Sequence, residues 1–205
     1  MKTIESIEKS EKEEAFSEIL GLLTNNSSIN FDKESFLIKL SEMSESEAIK
    51  EFFGIIIDRN PNLEKLETLF GYGILNIQSE NYMGMTLLHW ACQMQNPIVA
   101  KFLLERGADV NAKSIIIEIT PLFVTHLMID GHETAKFLLE RGADVNAKDK
   151  WGNTTLHWVS ESDALKVAEL LLERGADVRV INDDGKTPLE MAESDEMRNL
   201  IQQYL

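Results

Sequence analysis

His89 and Cys92, three residues apart on one helix, are the side chains of this sequence best suited to chemistry. They could share a metal ion, or the imidazole could deprotonate the thiol. Neither reading finds its remaining parts. Structural zinc takes four donors, Cys92 is the single cysteine, and no second pair of ligands stands at a suitable spacing. A thiolate nucleophile needs a base oriented by a third group, and no such arrangement is present. Gly71-x-Gly73 lacks the third glycine and the preceding strand of a nucleotide loop. The carboxylates are many but scattered along polar faces, where solvation accounts for them. An enzyme with its site in residues 1–80 is disfavoured, because that segment holds no His and no Cys. We therefore expect no catalytic residue, no metal site and no cofactor.

The elements that carry these residues belong to a chain of 205 residues, 43 % hydrophobic, enough for one folded domain with an extension. Twenty basic against 35 acidic side chains leave a net charge of −15. The excess is even: eight basic against sixteen acidic in residues 1–80, and twelve against nineteen in 81–205. With no basic patch in either half, nucleic acid is excluded as the main partner, since a polyanion binder must neutralise phosphates. The charged start and the short apolar stretch Phe52 to Ile57 predict neither a signal peptide nor a membrane span. A lone cysteine suits a reducing, cytoplasmic setting.

Internal periodicity organises the rest. Phe102 to Lys113, FLLERGADVNAK, recurs without change at Phe137 to Lys148, and Leu170 to Val178 repeats most of it. The glycines Gly107, Gly142 and Gly175 lie 35 and 33 residues apart; Thr86, Thr120, Thr154 and Thr187 are spaced by 34, 34 and 33. Each Thr opens an apolar stretch as an N-cap, with Pro at the first helical position in two units. A second helix follows, predicted over 98–105 in the first unit and 133–140 in the second, and the glycine stops it in a left-handed conformation. One such helix pair cannot bury its own apolar face, so neighbours must stack.

Residues 1–80 lack the Thr landmark but read as helices. Ala15, Phe16, Ile19, Leu20 and Leu23 share one face, as do Phe36, Leu37, Leu40 and Met43. Ser44 and Glu47 form a capping-box pattern ahead of Ile49, Phe52, Phe53 and Ile56, and Asn60-Pro61 begins a further helix.

The Thr-Pro-Leu opening, with His at the fourth position in two units, and the Leu-Leu-x-x-Gly-Ala-Asp-Val-Asn ending resemble the ankyrin repeat family. The resemblance implies an all-α solenoid of stacked helix-turn-helix units over 81–205, divided as 81–113, 114–148, 149–181 and a truncated 182–205. Residues 44–80 resemble a degenerate first repeat, with 1–43 as an N-terminal helical cap. It also implies protein binding on a concave face, no catalysis, and a structural role for His89 and His157 in bracing the adjoining loop. One departure stands out: the loop Ser114 to Ile119 lacks the turn glycine of its neighbours and is one residue longer, and a further extra residue lies between Thr120 and Gly142.

The family's outward-facing positions fall here on Tyr82, Met83, Met85, Gln93 and Met94 in the first unit, and on Ile116, Ile117, Ile119, Leu127 and Met128 in the second. In the third they include Lys150 and Trp151, followed by polar residues through the fourth. Nine of the first ten are apolar or aromatic, a surface of the kind that marks an interaction site. The expectation is a non-catalytic module that binds a partner protein through its concave face and loop tips, as an adaptor or effector scaffold, either monomeric or dimeric through the apolar loop. The layout resembles ankyrin proteins of intracellular bacteria and large viruses, which implies the host cytosol for a secreted effector. The alternative is an acidic immunity or inhibitor protein that masks a basic toxin or enzyme.

Overall fold

Gly107, Gly142 and Gly175 adopt φ of 87°, 86° and 84°, and each ends a helix one residue after its C-cap arginine, as the repeated Arg-Gly-Ala-Asp segment predicts. The computed structural model describes Phe36, Lys39 and residues 43–58, 60–71, 73, 76–78, 80, 84–127 and 131–205. The chain divides into two compact units, residues 1–82 and 83–205. Most of the proposed 1–43 extension, including the face formed by Ala15 to Leu23, lies outside the described residues.

In the first unit, α1 (Glu45–Ile57) packs on α2 (Leu63–Gly71). The capping box that starts α1 is formed in both directions: the Ser44 amide donates to Glu47 Oε2 at 2.8 Å, and the Glu47 amide to Ser44 Oγ at 3.3 Å. Phe52, Ile56, Leu66 and Leu69, all under 2 % exposed, form the apolar interior. Beside it, Glu51 accepts from both Lys39 and Lys65.

The second unit is a stack of helix pairs: α3 (Leu87–Gln93) with α4 (Pro97–Glu105), a 3₁₀ turn (Phe123–Leu127) with α5 (Gly131–Glu140), α6 (Thr155–Glu161) with α7 (Leu165–Glu173), and α8 (Pro188–Met191) with α9 (Asp195–Gln202). First helices pack on first helices and second on second along the stack. Among the described residues there is no strand, only an isolated bridge between Lys148 and Thr154. Leu88, Leu103, Leu122, Leu138, Leu156 and Leu171, recurring at matching positions of the units, are all under 2 % exposed.

Neighbouring pairs are also clipped through their loops. Asn111 Oδ1 accepts the Asp144 amide at 2.8 Å while its Nδ2 donates to the Gly142 carbonyl at 3.2 Å. Asn146 repeats both bonds one unit on, with Asp177 and Gly175, at the same two distances. Asp109, Asp144 and Asp177 each turn the chain by accepting the amide two residues ahead at 2.9 Å. At the end of the third unit Arg179 stands at the Asn position.

Replacing Asn111 or Asn146 by Ala removes two inter-unit bonds although both side chains are exposed. Each change should cost about 1–2 kcal/mol, and the double variant about their sum because the interfaces differ. Urea denaturation of the three variants checks this.

Candidate protein-binding face

The second, third and fourth units each begin with a short hairpin finger whose base is tied by a buried polar residue. Asp149 Oδ1 accepts the amides of Trp151 and Asn153, both at 2.9 Å, and Oδ2 accepts from Trp158 Nε1 at 2.9 Å. Asn182 ties the fourth finger in the same way, accepting the amides of Asp184 and Lys186. Ser114 does so in the second, its hydroxyl accepting the Ile119 amide at 3.2 Å. The finger tips join through the backbone: the Lys150 amide donates to the Ile117 carbonyl at 3.1 Å and the Asp183 amide to the Trp151 carbonyl at 3.0 Å. Counted back from Thr120, Thr154 and Thr187, donors and acceptors occupy the same positions each time. The extra residue of the second finger is therefore taken up in the turn, closed by the Glu118 amide on the Ser114 carbonyl at 3.0 Å, where the third finger closes one residue sooner, Gly152 on Asp149.

This arrangement holds a row of apolar side chains out in water. Ile115 is 68 % exposed, Ile116 45 % and Trp151 44 %; Ile117 and Ile119 are half-buried. Lys150 is exposed, with its ammonium 5.7 Å from the Trp151 ring centre and 3.3 Å from the Ile116 carbonyl. Gln93 and Met94, at the end of α3, are half-buried. Met85 does not belong to this surface. It is 6 % exposed, as Asn153 at the same position of the third unit is 7 % exposed, whereas Ile119 and Lys186, at that position in the other two units, are half-buried and exposed. Tyr82, Met83 and Met128 lie outside the described residues, as does the side chain of Leu127. Ile115 was not among the positions read from the sequence. It is set apart by the same one-residue excess that lengthens its finger, and that excess was its signal.

The two histidines that open α3 and α6 hold these fingers from behind. His89 Nδ1 accepts the Thr86 amide at 3.1 Å and lies 2.9 Å from Thr86 Oγ1, and these partners leave the proton on Nε2, which donates to the Ile119 carbonyl of the next finger at 3.0 Å. His157 makes the same set with Thr154 and the Lys186 carbonyl, at 3.1, 2.9 and 3.2 Å. Burial lowers the pKa of His89 to about 4, against the opposing pull of the Ile119 carbonyl, and it lowers that of His157 as well. Cys92 is fully buried and its thiol is pushed up by that burial, so it stays protonated and packs as a small apolar group. Among the described residues no group of three or more His, Cys, Asp or Glu is placed to hold a metal ion.

Stacked helix pairs with a row of tip-linked fingers define a helical repeat solenoid of the type built for macromolecular contact. Sequence profiles for the ankyrin repeat match residues 83–115 and 119–150, and the profile described as ankyrin repeats (many copies) matches 138–192. The chain belongs to the ankyrin repeat family. It is similar to the solved ankyrin repeat domain of Bcl-3, described as a unique member of the IkappaB protein family, with 28 % identity and a TM-score of 0.64 over 75 % of this chain and 67 % of that one. No curated protein sequence matches the chain.

The braces make stability pH-dependent. A histidine whose pKa falls on folding contributes fully above its unfolded value near 6.5, and that contribution is lost as pH drops from there towards the folded value of about 4. Between pH 7 and 4.5 the unfolding free energy should fall by on the order of 2 kcal/mol on account of His89. Denaturation midpoints should show a shallower pH slope in His89→Gln, and an unchanged slope would refute the assignment.

Proposed function

We propose that this chain is a non-catalytic protein-binding module that takes its partner on the finger tips and the adjoining concave face, as an adaptor or effector scaffold. Ankyrin repeats mediate protein–protein contact, and the observation that carries the reading here is the exposure of Ile115, Ile116 and Trp151 on adjacent fingers whose backbones are fixed to each other. Apolar side chains held rigidly in water carry little ordering cost on binding and return about 25 cal/mol per Å² when covered. A reducing cytosol, that of a host for a secreted effector, is the setting this reading assigns.

A second reading has its own support. The net charge of −15, with Glu161, Asp183, Asp184 and Asp195 exposed on the third and fourth units, suits an acidic inhibitor that masks a basic toxin or enzyme. The two differ in salt response, since opposite-charge attraction is screened and apolar contact is not.

We also read residues 44–80 as a degenerate repeat. Gly73 has φ of 67° shortly after α2, and Asn76 Oδ1 accepts the Gln78 amide at 3.0 Å, the turn that Asp109, Asp144 and Asp177 make in the other units.

The test is a double variant, Ile116→Ser with Trp151→Ala, used as bait beside the natural protein. Partner affinity should fall about tenfold or more with the melting temperature unchanged. A large loss of melting temperature with binding intact would place the site elsewhere, with Lys150, Asp183 and Asp184 as the next candidates. Sedimentation of the natural protein distinguishes a heterologous partner from a second copy on the same tips.

A further inference from the structure

Backbone bonds between the second, third and fourth fingers keep their tips in one order: Ile115 and Ile116, then Lys150 and Trp151, then Asp183 and Asp184. The chemistry changes along that order. The second tip is apolar and the third aromatic, whereas the fourth, Asp183-Asp184-Gly185, has no apolar side chain. The Asp183 carboxylate stands against the third tip: Asp183 Oδ1 lies 3.1 Å from the point where a Cβ on Gly152 would stand, and the Asp183 amide donates to the Trp151 carbonyl at 3.0 Å.

Asp183 and Asp184 are exposed, and neither carboxylate has a hydrogen bond or ion pair among the described residues. Two lysines share these fingers. Lys150 is held back towards the second finger by the Ile116 carbonyl at 3.3 Å, and Lys186 sets one ammonium against the two carboxylates of the fourth. The imbalance continues behind the tip, for residues 182–205 hold six acidic against two basic side chains, where the second unit, 114–148, holds five against three.

We infer that the partner lays one short segment along this row, with an apolar side chain over Ile115 and Ile116 and an arginine or lysine against Asp183 and Asp184. The inference rests on the reading of the tips as the binding site and names the chemistry of what they bind. Apolar tips alone would accept any apolar surface. The carboxylates beside them select, because covering Asp183 and Asp184 with apolar or acidic surface strips them of water without compensation, and a partner cation offsets that cost. Helices of consecutive units pack about 8–10 Å apart, so two units separate the apolar and acidic ends by about 20 Å, which an extended chain spans in about six residues. Trp151 lies between the two ends and takes the intervening side chains. On this inference an adaptor and an inhibitor would need the same kind of segment, apolar at one end and basic at the other.

The probes are peptides of about twelve residues, selected from a random display library on the full chain and measured in solution by fluorescence anisotropy. They should carry an apolar residue and an arginine or lysine about five to seven positions apart. Their affinity should fall about tenfold or more between about 50 and about 300 mM salt. Asp183→Asn combined with Asp184→Asn should weaken them about tenfold at the lower salt and flatten the salt response, with the melting temperature unchanged because both side chains are exposed and unpaired. Peptides that lose affinity in Ile116→Ser with Trp151→Ala but ignore both salt and the aspartate changes would overturn this inference and leave the tip site standing. Peptides that ignore the Ile116 and Trp151 changes would overturn both. Recovery of no peptide would overturn the assignment of a short segment.

Discussion

A pair of short helices has more apolar surface than it can hide against itself, and every regular feature of this chain answers that constraint. The surface is handed to the next pair, so the energetics run along one axis and each unit must meet its neighbour in a fixed register. Leucines at matching positions supply the burial but would tolerate sliding. Register is set by directional groups: Asn111 and Asn146 at one rim, tip-to-tip backbone bonds at the other, and His89 and His157 between them. The histidines can do this because burial keeps them neutral, with one nitrogen accepting and the other donating.

The same constraint explains where irregularity is permitted. The rims are clipped, so an added residue cannot be absorbed by shifting a helix along the stack. In the second finger it goes to the tip, where it costs a strained Glu118 and leaves Ile115 in water. Two of the residues that reach forward in earlier units are exchanged further along: Glu190 satisfies Thr187 within the fourth unit, and Arg179 stands in place of the asparagine at the end of the third. Exposed apolar groups lie on the second and third fingers while exposed carboxylates gather on the third and fourth units, so the two readings of function point to neighbouring parts of one surface.

Much of this was legible in the residues. A period near 34, a threonine that opens each unit and a glycine that closes its second helix determine helix pairs and their order, because capping and left-handed turns are local interactions that need only a few neighbours in sequence. The capping box at Ser44 and Glu47 was equally local and formed as its spacing implies. The bracing role of His89 and His157, implied by the family resemblance, is present down to the carbonyls they reach.

What the tertiary structure decided is the fate of side chains whose environment comes from another unit. Met85 and Ile116 are both apolar and both shortly precede a motif threonine, but Met85 is buried while Ile116 stands on a tip. Ile115 became the most exposed of the large apolar residues among those described because the finger's base and tip are tied to separate partners, which forces the surplus residue outwards. Likewise Phe123 is unremarkable as a buried ring in its own helix; its consequence, an orphaned Thr120 hydroxyl and an unbraced next finger, exists only between repeats. Local sequence determines the repeat, because its bonds close within a turn or a helix. Contacts 29 to 34 residues apart determine which faces of the repeat are left for a partner, and they form only when the units stack.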